Sequence, residues 1–438
     1  MNYTMNSLFK NINVSLNTLN GPVYKLKDLQ DYFDEIQENS NFNVNLVGIS
    51  SVKNWAYDEK FNFSHDSKKF FSIKSVNYGE VESGILHQSD IGVLGVLATE
   101  IKGVIHFLIQ FKEEPGNINK AQLSPTIQAT KSNYSRAHGG SFPPYWEKFI
   151  AIPKEKYIVD SLQPEQGLRY WQKFNQNVIA EIEYIEEQQG FKWMTLGQIL
   201  SFIDLDNSIN SCLRSVLSLL PFMGEDESKK TDNELEDTIA NLKKEYKNYG
   251  KIKNNIEKFY SVDSDSFNFF SQDDKFSIQG VEVNIENREV GSWFQPVIIE
   301  SNNIYYVLVR FFNKNSIFYC WSIFPEPGYV NGFAVGPTEI IKTNDSNVDE
   351  IKSKLTKKYG VYGNIKKINH INMSEEGGRF WQVSVPHFVI DIDIKNNDSF
   401  PENSLVLDEH ESRKLLFSKF ITMEGRSIFL LSKGLKDK

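Results

Sequence analysis

The hydrophobic positions of this chain fall into short β-rich runs broken by turns, and the same order of runs occurs twice. GVIHFLIQF at 103–111 is almost continuous in Val, Ile, Leu and Phe. NIYYVLVRFF at 303–312 and IFYCWSIF at 317–324 are of the same kind. Branched and aromatic side chains suit a pleated surface, so these runs predict strands. NVIAEIEYI at 177–185 alternates apolar and polar positions and predicts another. MTLGQILSFI at 194–203 and INSCLRSVLSLL at 209–220 have helical spacing instead. Strands and helices in irregular alternation indicate α+β units. A further stripe, Leu235, Ile239, Leu242, Tyr246, Tyr249, Ile252, Ile256 and Phe259, recurs three or four apart. It predicts one charged amphipathic helix, weakened or bent at Gly250, which either packs across the two halves or forms a dimer seam.

The repetition is explicit in the residues. EPGNINKAQLSPT at 114–126 returns as EPGYVNGFAVGPT at 326–338, with a constant spacing of 212 residues. PEQGLRYWQ at 164–172 returns as SEEGGRFWQ at 374–382, and LRSVLSLL at 213–220 returns more faintly as GRSIFLLS at 425–432. Three blocks in one order point to an internal duplication. Pro125 and Arg169 are therefore expected to occupy the same structural elements as Pro337 and Arg379. The polar stretch GEDESKKTDNELEDT separates the halves. The expected organisation is a first copy over 1–222, a linker and amphipathic helix over 223–262, and a diverged second copy over 263–438.

Polar chemistry concentrates in copy one. QLSPTIQATKSNYSRAHGG holds Gln122, Ser124, Thr126, Gln128, Lys131, Ser132, Asn133, Tyr134, Arg136 and His138 within 19 residues. Amides and hydroxyls both donate and accept, which suits a polyhydroxyl ligand. Arg136 and Lys131 can neutralise phosphate oxygens. An ordinary surface loop is the competing reading. Copy two replaces Gln122 by Ala334 and Gln128 by Ile340, and lacks the Tyr-x-Arg-x-His run. That asymmetry places the chemistry in copy one. Glu165 and Arg169, like Glu375 and Arg379, are four apart and can form a salt bridge on a helix or in a compact turn, and their presence in both copies favours a role in holding the fold. Trp171 and Trp381 are expected in the core, whereas Trp293 either stacks on a pyrimidine or packs beside its proline.

Charge and composition narrow the classes. A net charge of −9 argues against a broad nucleic-acid surface but leaves room for a basic pocket. Cys212 and Cys320 have neither metal nor disulfide spacing, which suggests a reduced cytoplasmic setting. MNYTMNSLFKNINV lacks the features of a signal peptide, and no run approaches a membrane span. Walker A, GxGxxG, HExxH, GxSxG and zinc-spaced patterns are all missing, so no metal is expected.

These blocks resemble the NDP-hexose 2,3-dehydratase family of deoxysugar biosynthesis. The resemblance is most specific at LIQFKEEPGNINKAQLSPTIQATKSNYSRAHGG. It continues through DIGVLGVL, VDSLQPEQGLRYWQKFNQN, FKWMTLGQIL, INSCLRSVLSLLP, REVGSWFQP and SEEGGRFW. The chain departs from the family pattern at Val81-Glu82-Ser83-Gly84, Pro164, Asn175-Gln176-Asn177 and Cys212. The resemblance implies a tandem of two Nudix-like α+β units without the metal-binding Nudix box, in a homodimer. It implies a dTDP-4-keto-6-deoxyhexose as substrate and no cofactor. It implies catalysis by His138, Tyr134 and Glu165, with the base among them left open. It adds Lys112, Gln166, Arg169 and Lys173 to the substrate contacts. A second-copy ligand site would comprise Trp293, Gln295, Thr338, Glu375 and Arg379. A non-catalytic nucleotide-sugar binder and a Nudix-like pyrophosphatase are the rival readings.

Overall fold

The computed structural model describes residues 5–130, 142–222, 233–247, 249–270, 275–285, 291–301, 303–313, 316–344, 347–394, 400–402 and 404–435. Copy one opens with α1 (Met5–Leu16) and α2 (Leu26–Glu38). Five strands follow, β1 (Phe42–Val47), β2 (Trp55–Tyr57), β3 (Phe63–His65), β4 (Ser72–Tyr78) and β5 (Val81–His87). The main sheet comes from β6 (Gly92–Ile101), β7 (Val104–Glu113), β8 (Ala121–Ser124), β9 (Ile127–Ala129), β10 (Tyr157–Pro164), β11 (Phe174–Glu181) and β12 (Phe191–Thr195). α3 (Trp146–Ile150) interrupts it, and α4 (Leu196–Ser201) and α5 (Ser211–Leu217) close the unit.

Copy two repeats this plan. After α6 (Asn233–Glu245) come β13 (Gly250–Lys253), β14 (Tyr260–Ser261), β15 (Ser266–Phe270), β16 (Lys275–Ile285) and β17 (Ser292–Glu300). Its main sheet holds β18 (Asn303–Asn313), β19 (Ser316–Pro325), β20 (Phe333–Gly336), β21 (Glu339–Thr343), β22 (Asn364–Ser374), β23 (Ser384–Asp393) and β24 (Ser404–Asp408). α7 (Val348–Tyr359), α8 (Glu409–Phe417) and α9 (Met423–Gly434) complete it.

The two main sheets have one topology. β6 lies parallel to β11 and antiparallel to β7 and β9, and β18 lies parallel to β23 and antiparallel to β19 and β21. Pro125 sits in the β8–β9 turn and Pro337 in the β20–β21 turn. Arg169 and Arg379 occupy the β10–β11 and β22–β23 loops. Pleating sends alternate residues to opposite faces, so near-continuous apolar runs are buried on both sides. Phe107 and Ile109 of β7 enter a core shared by both copies, while Leu108 enters a second core under Phe149 and Trp193. The shared core also takes Leu213 and Val216 of α5 and Phe429 and Leu430 of α9.

The smaller sheets exchange strands. β1 of copy one pairs with β16 of copy two, ending at Val47 opposite Gly280. β13 pairs with β4 of copy one, ending at Lys253 opposite Ser75. Each small sheet is thus edged by a strand from the other copy. This corrects the reading of the 235–259 stripe as one helix. The helix stops at Glu245, and Gly250 begins a strand. A Cβ on Gly250 would lie 2.0 Å from the Pro327 carbonyl oxygen, so the strand approaches copy two more closely than a helical side chain allows.

Candidate active site

The polar residues of copy one converge where β7, β8 and β9 meet. Lys112 on β7 faces Gln122 on β8, and Gln110 faces Ser124. Residues directly opposite share a sheet face, so Lys112 and Gln122 point the same way. Lys112 Nζ donates to Glu114 Oε1 at 2.7 Å. Gln128 Nε2 donates to the same oxygen at 3.0 Å and to Glu376 Oε1, from copy two, at 3.1 Å. The Gln128 carbonyl accepts from Ser124 Oγ at 3.0 Å and Asn210 Nδ2 at 3.1 Å. Both halves of the amide are therefore engaged, which fixes its orientation. Gln122 Nε2 donates to Ser374 Oγ of copy two at 2.6 Å. Its Oε1 is buried without a hydrogen-bond partner. Burial, then the neighbouring Glu114 charge, push the Glu376 carboxyl up to about 7, with Arg379 and Lys112 opposing.

The other expected site residues have different neighbours. Lys131, Ser132, Asn133, Tyr134, Arg136 and His138 lie outside the described residues. Thr126 Oγ1 donates to the Leu108 carbonyl and accepts from Leu97 N at 3.0 Å. Thr338 repeats this tie with Cys320 and Val309. Both hydroxyls are spent holding strands together. A Glu165–Arg169 salt bridge does not form. Arg169 instead grips Glu300 of copy two through Nε at 2.9 Å and Nη2 at 3.0 Å. The reason is the loop's direction, which carries Arg169 away from its own sheet and over the Phe276 ring at 3.9 Å. Arg379 likewise lies over Phe71 of copy one at 4.3 Å.

Glu165 accepts from Asn175 Nδ2. Burial raises its carboxyl, against the charges of Arg426 and Lys173 and the Asn175 bond. Lys173 donates to the Asp90 carbonyl, and burial lowers its ammonium. Gln166 Nε2 donates to Glu375 Oε2 at 2.8 Å. Burial first, then Glu424, push Glu375 up to about 8. Trp293 packs edge-on against Phe42 at 6.2 Å, and its indole N–H donates to Gln295 Oε1 at 2.9 Å. Gln295 in turn donates to the Gly378 carbonyl at 2.7 Å. Lys112, Gln122, Ser124 and Gln128 thus form one cluster. Gln166 and Arg169 reach across to copy two, whereas Glu165 and Lys173 are held within copy one by Asn175 and Asp90.

Reciprocal docking explains this division. Gly116 N donates to Gly377 O at 2.7 Å, and Gly328 N donates to Gly167 O at 2.9 Å. Each Glu-Pro-Gly turn therefore sits on the other copy's β-loop. A Cβ at Gly116 would lie 1.6 Å from the Phe380 oxygen, and one at Gly328 would lie 2.1 Å from that of Tyr170. Only glycine permits these approaches. Glu376, Glu114, Asn210 and Ser374 were missed by the sequence reading. A signal existed for Glu376, because copy one carries Gln166 at the matching place. Among the described residues, no group of three or more His, Cys, Asp or Glu is placed to hold a metal ion.

Comparison with known proteins places this architecture. The profile of a family described as NDP-hexose 2,3-dehydratase matches residues 26–220 and 252–431. The chain belongs to the NDP-hexose 2,3-dehydratase family. The two matched segments correspond to the two copies, so the duplication is a property of the match itself. Three relatives are each named dTDP-4-dehydro-6-deoxy-alpha-D-glucopyranose 2,3-dehydratase. That from Saccharopolyspora spinosa is 34% identical over 300 residues, covering 60% of this chain and 61% of its own length. That from Amycolatopsis orientalis is 37% identical over 225 residues, or 48% of each chain. The chain thus spans about half to three-fifths of those two relatives. The Streptomyces violaceoruber protein is 27% identical over 438 residues, covering 93% of this chain and 96% of that one. A solved ADP compounds hydrolase covers 36% of this chain and 84% of its own, at 10% identity and a TM-score of 0.26.

Proposed function

We propose that this chain is a cofactor-independent 2,3-dehydratase of a dTDP-4-keto-6-deoxyhexose. The observation that carries the reading is the family match over both copies. The Lys112–Glu114–Gln128 cluster supports it, because dehydration beside a ketone needs proton transfer and oxyanion donors rather than an electron carrier. The C4 carbonyl acidifies the C3 hydrogen. A base takes that proton, an enolate forms, and the 2-hydroxyl leaves with a proton as water. The resulting enol tautomerises to a 3,4-diketo-2,6-dideoxy sugar. Buried donors aimed at O4 stabilise the enolate. Tyr134 and His138 can donate to O4 or carry the proton, and Glu165 can carry it.

The reading extends to the assembly. It includes a Nudix-like plan for each unit, supported by a mixed sheet with helices on both faces. It also includes a cytoplasmic homodimer. No helix among the described residues is long and apolar enough to cross a membrane.

Incubation with dTDP-4-keto-6-deoxyglucose tests the reading through its product. Loss of the 2-hydroxyl is expected. Unchanged sugar indicates a binding protein, and released nucleoside monophosphate indicates a pyrophosphatase. Turnover is expected to survive excess EDTA. A loss restored by a divalent cation would overturn the metal-free part of the reading. Among His138→Ala, Tyr134→Phe and Glu165→Gln, at least one is expected to lower kcat by about 10² to 10⁴-fold. Arg136→Ala is expected to raise KM, because a diphosphate contact persists in ground and transition states alike. Thr338→Ala and Lys342→Ala are expected to alter melting rather than kcat. Normal kcat in every copy-one variant, with loss in the copy-two pair at unchanged folding, would put the site in the other half.

A further inference from the structure

The copy-one cluster is incomplete without copy two. Its second carboxylate comes from Glu376, at the turn between β22 and β23. Glu376 Oε1 and Glu114 Oε1 both accept from Gln128 Nε2, at 3.1 and 3.0 Å. A Cβ on Gly378 would lie 2.3 Å from Glu376 Oε1 and 3.5 Å from Glu114 Oε1, so glycine there leaves room for the pair. Glu114 is buried and anchored by Lys112, whereas Glu376, Gln128 and Lys112 each keep part of their surface open. Glu376 is therefore the less enclosed of the two carboxylates. Beside them Gln122, only 1% exposed, has a buried carbonyl oxygen with no partner. Such an acceptor is costly when empty and suits a ligand hydroxyl.

We propose that Glu376, reaching across from copy two, is the catalytic acid–base residue of the dehydration, held by Gln128 against Glu114. The proposal rests on the dehydratase reading. The Glu376 carboxylate takes the C3 proton, and the C3–H electrons form the C3–C4 enolate. The enolate electrons then form the C2–C3 double bond as the C2–O bond breaks. The departing hydroxyl takes the same proton from Glu376 and leaves as water. Glu376 ends as it began, and no oxidant or reductant is consumed. In a gluco sugar the C3 hydrogen and the 2-hydroxyl are gauche on neighbouring carbons, within reach of one carboxyl group.

Electrostatics fit that duty. The groups acting on Glu376 are Glu114 and Lys112 at the end of β7, Arg379 of its own loop, and Glu165 of copy one. With the carboxyl pushed up to about 7, it exchanges protons readily near neutrality. The base step needs the ionised form, so kcat rises with pH through this value. Glu114→Gln removes the like charge, lowers the Glu376 pKa, and is expected to move the limb to lower pH.

The test uses the full chain and dTDP-4-keto-6-deoxyglucose. Glu376→Gln is expected to lower kcat about 10² to 10⁴-fold at nearly unchanged KM and melting temperature. It is also expected to abolish exchange of the C3 hydrogen of unreacted substrate with solvent deuterium, and Glu376→Asp should recover part of both. Wild-type dehydration with Glu376→Gln within tenfold of wild type overturns the proposal and leaves the dehydratase reading standing. No dehydration by the wild type overturns both. Should Glu376→Gln fail to fold, the Glu114→Gln profile decides. An acidic limb left where it was overturns the proposal.

Discussion

Arg426→Ala is expected to destabilise the chain more than any substitution on its surface. Arg426 is fully buried in α9, and every arm of its guanidinium is used. Nε donates to Ser215 Oγ at 2.8 Å, and Nη2 donates to the Pro164 carbonyl at 2.7 Å. Nη1 donates to Gln163 Oε1 at 3.1 Å and the Ile421 carbonyl at 2.8 Å. Three of these four acceptors belong to copy one. Burial lowers the guanidinium pKa, with the nearby Tyr329, Glu165 and Glu424 opposing. Truncation would strip four buried acceptors of these donors and leave Gln163 Oε1 with none, although Ser215 Oγ keeps Asn177 and the Ile421 carbonyl keeps Tyr329. Breaking such a network costs about 3–5 kcal/mol, a large share of the roughly 5–15 kcal/mol that holds a domain together. For units of this size the melting temperature should fall by about 10 °C. Arg426→Lys should fail nearly as badly, because an ammonium cannot span four acceptors in a planar fork. Lys27→Ala, whose ion pair with Asp31 is exposed, is the neutral control. A melting curve for Arg426→Ala within about 2 °C of the parent would refute the account.

Arg214 is its counterpart. Its Nε donates to Ser427 Oγ at 3.2 Å and its Nη2 to the Ser374 carbonyl at 3.0 Å. The third and faintest block of the repeat, around Arg214 and Arg426, therefore marks the knot that joins the copies. Such reciprocity explains which parts of the structure could be read in advance. β7, β18 and β19 were legible because a strand buried on both faces writes a long apolar run. α4 and α5 were legible because their periodicity matches 3.6 residues per turn. The stripe from Leu235 to Phe259 misled because spacing does not record a partner. Gly250–Lys253 is drawn into a strand by hydrogen bonds to β4, about 170 residues earlier in the chain, and local periodicity is overridden.

The site was legible to the same degree and for the same reason. Gln122, Ser124 and Gln128 are local in sequence and were read as one polar block, and Lys112 was added by the family resemblance. Glu376 was not, because 248 residues separate it from Gln128. The Glu165–Arg169 pairing failed because a spacing of four implies contact only where the chain coils. Here the segment is a loop directed at Glu300. Comparison of the copies carried more information than motif content. The substitution of Gln166 by Glu376 at matching places is a difference of the same kind as Gln122 and Ala334.

Strand exchange makes the last expectation a severe one. Residues 1–222 produced alone should not fold, although they contain a complete main sheet. β4 would lose β13, β1 would have no β16 to pair with, and both would become open edges. The Arg426 donors to Gln163 and Pro164 would be gone. The inner face around Phe107, Ile109 and Leu213 would lose the Phe429 and Leu430 side of its core. An exposed apolar face of that kind drives aggregation rather than a stable half. Co-production with residues 223–438 should instead give a one-to-one complex that melts cooperatively and dehydrates dTDP-4-keto-6-deoxyglucose. The measurements are size-exclusion chromatography, thermal melting and the product assay. A monomeric 1–222 fragment with a cooperative melt and dispersed amide signals would show that the exchanged strands are dispensable. The copies would then be two domains joined by a linker rather than one interlocked body.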